Sequence, residues 1–371
     1  MPGIPAFSLQ KQSQRIAPEI EVAVARVLAS GRYAQGPECE AFEAEIAAVL
    51  GGGVRALTCA SGTDALHLSL RAVGVGAGDV VLTSPFTFFA TAGAILLAGA
   101  RPEFVDIDAE SFNLSPAALD AALQRPRAGR LAAVMPVHLY GRVAEMKAIG
   151  RLAAAAGVPV VEDAAQAIGA HDNGTPAGAF GAAAAFSFYP TKNLGAMGEG
   201  GLVTCREEAV LDRLKLLRGH GSRRRYEHET FGWNARMHEL QAAILRAKLP
   251  HLAQWNRRRR EIAAGYSERL AGVRGIVLPV LSAGQVVHQY VVRASNRDPL
   301  RQFLHQRGIG TEVYYPTPLH RQPALRDFPS GPLPEAERAA REVLALPMYP
   351  ELSDGELDQV AEAIRAFRGP S

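Results

Sequence analysis

A chain of 371 residues with 48% hydrophobic and 21% charged residues carries enough apolar side chains for a large core, which excludes a disordered or fibrous protein. Its 40 basic and 37 acidic residues are interspersed and leave a net charge of +3, which excludes nucleic acid as the main partner. No apolar run reaches the roughly 20 residues of a membrane span, and Pro2 and Pro5 stand where a signal peptide would have a basic segment.

Helices are expected over 17–30, closed by Gly31, and over 37–50, closed by the glycines at 51–53. The body then alternates between strands at 55–59, 80–84, 103–106, 132–137 and 158–162 and helices at 63–73, 87–97, 116–124 and 145–156. Such alternation predicts an α/β fold with a mostly parallel sheet flanked by helices, its ligand groups gathered at the carboxyl ends of the strands. Strands at 183–188 and 201–204 follow, then a helix at 207–217 and a long helical stretch from 237 to 270. The remainder reads as α+β, with strands at 286–293 and 311–314 and helices at 299–307 and 353–367. The chain therefore divides near residue 250 into a large domain, 1–250, and a smaller C-terminal α+β domain, 251–371. Cys39, Cys59 and Cys205 form no CxxC pair and have no histidine at ligand spacing, so no metal site is expected and a reducing, cytoplasmic setting fits.

Chemistry concentrates where strands end. In the run 58–66, TCASGTDAL, Ser61, Gly62 and Thr63 fall at a helix N-terminus, which is either a plain cap or a phosphate site. In 83–90, TSPFTFFA, Phe88 is placed either to stack on a flat ring or to fill core. In 161–169, VEDAAQAIG, strand alternation turns Glu162 and Asp163 to opposite faces. A carboxylate facing a pocket there needs a cation, such as a pyridinium nitrogen; the simpler alternative is a cap by Asp163. Lys192 lies in 186–201, FSFYPTKNLGAMGEGG, behind Phe186, Phe188 and Tyr189, where desolvation favours the neutral amine that forms a Schiff base. The arginines at 223–225, Arg223 among them, sit in a glycine- and serine-flanked loop that is either a phosphate contact or a mobile solvated loop, whereas the run 257–260 is expected to be a solvated helix face. A phosphate turn, a strand-end carboxylate, an aromatic ring and a desolvated lysine are together the parts that hold pyridoxal 5′-phosphate.

Nearly end to end, the chain resembles the DegT-type (DegT/DnrJ/EryC/StrS) nucleotide-sugar aminotransferases, which are fold-type I pyridoxal-phosphate enzymes. The resemblance is carried by GRY at 31–33 with GPE at 36–38, ASGTDA at 60–65, PVHLYG at 136–141, EDAAQ at 162–166, SFYPTKN at 187–193, NAR at 234–236 with ELQA at 239–242, and YPTPLH at 315–320. It implies Lys192 as the Schiff-base lysine, Asp163 as partner of the pyridine nitrogen, Gln166 on the ring-hydroxyl side and Phe88 stacked on the ring. Gly62, Thr63 and Ser187 would hold the phosphate, with Asn234 reaching it from the neighbouring subunit of a homodimer. Arg236, also from the neighbour, would meet a carboxylate of the donor or the sugar, and Tyr315, His320 and Arg223 are expected on the substrate side. Glutamate is the implied donor and a dTDP- or UDP-linked keto-hexose the acceptor, more similar to the 3-keto than to the 4-keto branch. A regulatory protein that keeps the fold without turnover is the alternative from a different class. A sugar dehydratase of the same fold carries His at the position of Lys192.

Overall fold

A computed structural model describes residues 3–328 and 330–368 and shows the expected βα alternation. Helices α1 (Gln10–Arg15), α2 (Ala17–Ser30) and α3 (Pro37–Leu50) precede β1 (Arg55–Cys59). Then come α4 (Gly62–Ala72), β2 (Val80–Thr83), α5 (Ala90–Leu97), β3 (Arg101–Phe104), α6 (Pro116–Leu123), β4 (Leu131–Met135), α7 (Met146–Ala155) and β5 (Val161–Asp163). A small hairpin, β6 (His171–Asp172) and β7 (Thr175–Pro176), leads to β8 (Ala183–Ser187), β9 (Gly201–Cys205) and α8 (Glu208–Arg218).

Three strands in the order β3-β2-β4 and four in the order β5-β8-β9-β1 run on as one sheet, joined by parallel bridges Val134–Val160 and Val137–Asp163. Pairing is parallel except around β9, which runs antiparallel to both β8 and β1. No helix lies between β8 and β9 to carry the chain back over the sheet, so β9 returns antiparallel. That connection is the turn that carries Lys192. Every residue of β2, β5 and β9 is buried, as in strands covered on both faces.

Glu162 and Asp163 do point to opposite faces. Glu162 is fully buried and accepts the N–H groups of Gly178, Phe180 and Gly181 at 2.7–2.8 Å. Its fourth partner is His138 Nε2 at 2.9 Å, and because His138 Nδ1 accepts from the Ala144 N–H at 3.2 Å, the ring proton sits on Nε2. One carboxylate thus clasps the β7–β8 connection to the end of β4.

An exposed hairpin, β10 (Ser222–Arg224) and β11 (Glu227–His228), separates α8 from α9 (Glu239–Lys248). The single helical stretch expected over 237–270 is broken: Leu249–His251 forms a 3₁₀ turn around Pro250 before α10 (Leu252–Arg269), because proline supplies no N–H and crowds the preceding turn. The C-terminal portion is built on the antiparallel order β12 (Ile276–Val277), β13 (Tyr290–Ala294) and β14 (Val343–Leu346), with α11 (Arg297–Gln306), α12 (Pro334–Glu342) and α13 (Asp354–Ala366) around it. The expected strand at 311–314 is reduced to one bridge, Glu312 to Ala345, since the Val343 N–H that would continue the ladder bonds the Ala339 carbonyl at the end of α12 instead. Ile4 pairs with Ile309 and joins this core, tying the start of the chain to its C-terminal portion.

The arginine run 257–260 is not a uniformly solvated face. Arg259 is 2% exposed and donates to the His288 carbonyl at 3.0 Å, while Arg258 pairs with Asp354 at 2.7 Å. Helical periodicity is the reason: Arg259 shares a face with the buried Trp255, Ile262 and Tyr266. Among the described residues no helix is long and apolar enough to cross a membrane.

The Glu162 clasp is a stability element with a measurable weight. Glu162→Ala takes the acceptor from three N–H groups and from the buried His138 ring, and should lower unfolding free energy by about 3 kcal/mol. Exposed Glu261→Ala should stay within about 0.5 kcal/mol of wild type. Equal denaturation midpoints for the two variants in urea would remove that role from Glu162.

Candidate active site

The carboxyl ends of β1, β5 and β8 and the start of α5 open on one cavity of about 560 Å³. Asp163 closes β5 with its side chain in that cavity, Oδ2 accepting from the Thr91 hydroxyl at 2.7 Å and Oδ1 from the Ala165 N–H at 3.2 Å. Burial pushes its pKa up, opposed by those two donors and by the charge of Lys192. The carboxylate is oriented but has no cation in hydrogen-bonding contact among the described residues, which is the condition a pyridinium nitrogen relieves.

Lys192 lines the same cavity from the β8–β9 turn. Its amine is pushed down to about 8 by burial, with Asp163 opposing the shift, so the neutral form is accessible near physiological pH. The turn is pinned along its length. The Lys192 N–H bonds the Tyr189 carbonyl at 2.8 Å, the Ala196 N–H bonds the Phe188 carbonyl at 2.8 Å, and the Gly195 carbonyl accepts from Lys248 Nζ at 2.7 Å. A Cβ at Gly195 would stand 2.2 Å from the Pro190 carbonyl oxygen, so only glycine closes this turn. Lys248 is 1% exposed, and burial pushes its amine down to about 8 as well.

At the other end of the cavity, Ser61 caps α4, its hydroxyl accepting the Asp64 N–H at 3.1 Å and donating to Asp64 Oδ2 at 2.8 Å. Gly62 and Thr63 begin the helix beside Ser187 at the end of β8, which gives N–H donors, a hydroxyl and the positive helix end to an anion. A Cβ at Gly62 would lie 2.6 Å from Ser187 Cβ, so a side chain there would fill the cradle. Asp64 also reaches a second partner, because its Oδ1 accepts the indole N–H of Trp233 at 3.0 Å, and that indole stacks on His67 at 4.0 Å. Trp233 stands at the base of the segment carrying β10 and β11.

Phe88 is 61% exposed, its ring lining the cavity with Tyr315, 6.4 Å away between centroids. Gln166 also lines it, with its amide committed at both ends: Oε1 accepts the Tyr140 N–H at 2.7 Å and Nε2 donates to the Tyr315 hydroxyl at 3.1 Å. The structure therefore gathers Gly62, Thr63, Phe88, Asp163, Gln166, Ser187, Lys192 and Tyr315 around one space. It does not bring Asn234, Arg236, Arg223 or His320 there. Asn234 and Arg236 bond each other at 2.9 Å outside the cavity, and exposed Arg223 pairs with Glu229 at 3.1 Å. His320, expected on the substrate side, is buried against Phe104 with Nε2 on Glu337 at 3.1 Å.

Thr91 and His288 are among the lining residues that the sequence does not signal. Thr91 falls three residues after Phe88, at the start of α5, a spacing that carries a signal only once Phe88 is known to face a ligand. His288, after two valines, reads as strand.

A flat cationic heterocycle with an anionic tail satisfies both ends of this cavity at once, and with the sheet order it marks the protein as a fold-type I enzyme using pyridoxal phosphate. The chain belongs to the DegT/DnrJ/EryC1/StrS aminotransferase family, whose model matches residues 14–365. It is 44% identical to the dTDP-3-amino-3,4,6-trideoxy-alpha-D-glucose transaminase of Streptomyces venezuelae, covering 99% of this chain and 96% of that protein. It is also 45% identical to a protein of Geobacillus stearothermophilus named pleiotropic regulatory protein, covering 98% of each. Among solved structures it is similar to S. venezuelae DesV in complex with a ketimine intermediate, with a TM-score of 0.94, 44% identity and 98% of each chain covered.

The cradle at Gly62 is testable without turnover. Gly62→Ala should displace Ser187 and raise the pyridoxal-phosphate dissociation constant about tenfold, the weight of one charge-assisted hydrogen bond. Equilibrium titration of the apoprotein measures this, and unchanged affinity would move the anion elsewhere.

Proposed function

We propose that the protein transfers an amino group from glutamate to the C-3 keto carbon of a dTDP- or UDP-linked hexose. The observation that carries this reading is the pairing, in one cavity, of a lysine whose amine is pushed down to about 8 with a buried carboxylate that lacks a cation. When bound there, pyridoxal phosphate supplies the electron sink that makes the donor Cα–H acidic.

The remaining roles fall to the chain. Lys192, displaced as a free amine, accepts the proton from the donor Cα and returns it on the other side of the exchange; an amine of low pKa is neutral often enough to do so. Asp163, steered by Thr91 and Ala165, keeps the ring nitrogen protonated. Ser61, Gly62, Thr63 and Ser187 hold the phosphate, and Phe88 offers a ring face for stacking. Gln166, fixed between Tyr140 and Tyr315, supports the edge of the site nearest the phenolic oxygen.

The acceptor's diphosphate and the donor's carboxylates need cations, and among the described residues the cavity offers only Lys192. Arg223 on the hairpin would meet the diphosphate, and Arg236 beyond it a carboxylate of the donor or the sugar, in a homodimer in which each hairpin reaches the partner's site. Tyr226 and Phe231, 81% and 82% exposed on that segment, are apolar surface that such a contact covers. The C-3 assignment follows the name of the S. venezuelae relative. The regulatory name of the Geobacillus relative keeps a non-turnover reading in view, and turnover separates the two.

Wild-type protein should show a visible absorption band that glutamate bleaches and a 3-keto sugar nucleotide restores. Borohydride should fix the cofactor to Lys192. Lys192→Ala should lose turnover by several orders of magnitude, roughly the weight of combined covalent and proton-transfer catalysis. Asp163→Asn should keep the cofactor yet slow bleaching by about 100-fold or more. A band that glutamate leaves untouched would assign the protein to the non-turnover class, and restoration by 4-keto sugars alone would correct the regiochemistry.

The shared site has its own test. Mixing inactive Lys192→Ala and Arg236→Ala subunits should restore about a quarter of wild-type activity, since random pairing gives half heterodimers with one intact site each. Full activity of a monomer in sedimentation at assay concentration would exclude a shared site.

A further inference from the structure

Asn193 follows Lys192 directly and is 4% exposed, and its amide is the hub of a chain of hydrogen bonds whose sense is fixed by backbone carbonyls. Its Nδ2 donates to the Val286 carbonyl at 3.3 Å and to Asn256 Oδ1 at 2.8 Å. The Asn256 Nδ2 donates in turn to the Ile168 carbonyl at 3.1 Å, which leaves Asn256 Oδ1 as the acceptor facing Asn193. Carbonyls cannot donate, so Asn193 must present Oδ1 to its remaining partner, His288 Nδ1, at 3.0 Å. His288 Nδ1 therefore carries the ring proton.

We propose that His288 is a positioning residue for Lys192, acting through Asn193: its Nδ1–H holds the Asn193 amide, and the amide holds the turn that aims the lysine into the cavity. The inference rests on Lys192 being the cofactor lysine, as in the proposed function. The geometry brings three separate parts of the chain to the residue after Lys192. They are the loop after β5 through Ile168, helix α10 through Asn256, and the approach to β13 through Val286 and His288.

The imidazole is itself secured. It is 7% exposed, lies at the wall of the cavity with Lys192, and its carbonyl accepts from the buried Arg259 at 3.0 Å. Burial, with Lys192 and Arg259 nearby, pushes His288 well below the ordinary histidine range, which keeps a single ring proton through the working pH. The other titratable groups that line the cavity with it are Asp163, Tyr189, Glu199, Tyr314 and Tyr315, and Glu312 stands on the opposite side of the same wall. A neutral histidine of fixed tautomer acts here as a one-directional latch.

Asparagine and glutamine separate the two ring nitrogens, because an Asn amide nitrogen overlays Nδ1 and a Gln amide overlays Nε2. In the holoenzyme, His288→Asn should keep kcat within about threefold and leave the pH midpoint of the visible band unchanged, whereas His288→Gln should lower kcat about tenfold and shift that midpoint, with little change in KM for glutamate. The Asn193→Ala/His288→Gln double variant should be no worse than Asn193→Ala alone, since the histidine acts through the amide. Thermal midpoints of all variants distinguish misfolding from misplacement. Rescue by Gln instead of Asn, additive losses in the double variant, or kcat losses that simply track the thermal midpoint would each overturn the proposal. If the wild-type band is absent or not fixed to Lys192 by borohydride, the proposed function fails; if it is present and the variants misorder, only this inference fails.

Discussion

Two adjacent carboxylates at the end of β5 are turned to opposite faces of the sheet by strand alternation, and the rest of the site is arranged around that divergence. Glu162, itself fully buried, spends its charge on three N–H groups and the proton of His138, and is thereby a permanent part of the scaffold. Asp163 has two hydrogen-bond donors and no contacting cation, so its charge is left for a ligand. The same backbone that makes one carboxylate inert presents the other to the cavity, at the strand end where α/β sheets place ligands.

The lysine is handled in the opposite way. Asp163 is rigid because it stands on a strand, whereas Lys192 stands on a turn, which has no ladder to stiffen it. Stiffness is imported: from Lys248 on α9, from Asn256 on α10 and from the approach to β13. The C-terminal portion thus reaches back to the turn that carries Lys192, so the two parts of the chain share one structural unit whatever their boundary.

Much of the site was legible because strand ends and helix starts have local signatures. The run at 58–66 announces a helix N-terminus, 161–169 a strand ending in carboxylates, and 186–201 a lysine behind aromatics, and the structure brings all three to one cavity. What was illegible depends on partners distant in sequence. Arg259 looks like one of four solvated arginines until the carbonyl of His288 meets it. His320 reads as a ligand-side histidine until Glu337, on a helix that periodicity did not suggest, takes its Nε2. The strand expected at 311–314 lost its ladder to β14, because β propensity says nothing about which neighbouring strand supplies the edge.

Asp64 joins two structures that are separate in the chain, the start of α4 and the hairpin segment. Its backbone and one oxygen complete the cap of Ser61, while the other oxygen holds Trp233 at the foot of the hairpin segment. One short side chain thus meets two structural demands, a well-formed cap on α4 and a correctly planted hairpin. In evolutionary terms position 64 is pleiotropic. Asparagine would retain an acceptor for only one demand at a time, and glutamate, one methylene longer, would move the indole away from His67. Variation that reshapes the hairpin without disturbing that cap must therefore accumulate beyond Trp233, toward Tyr226 and Arg223, where the chain is exposed.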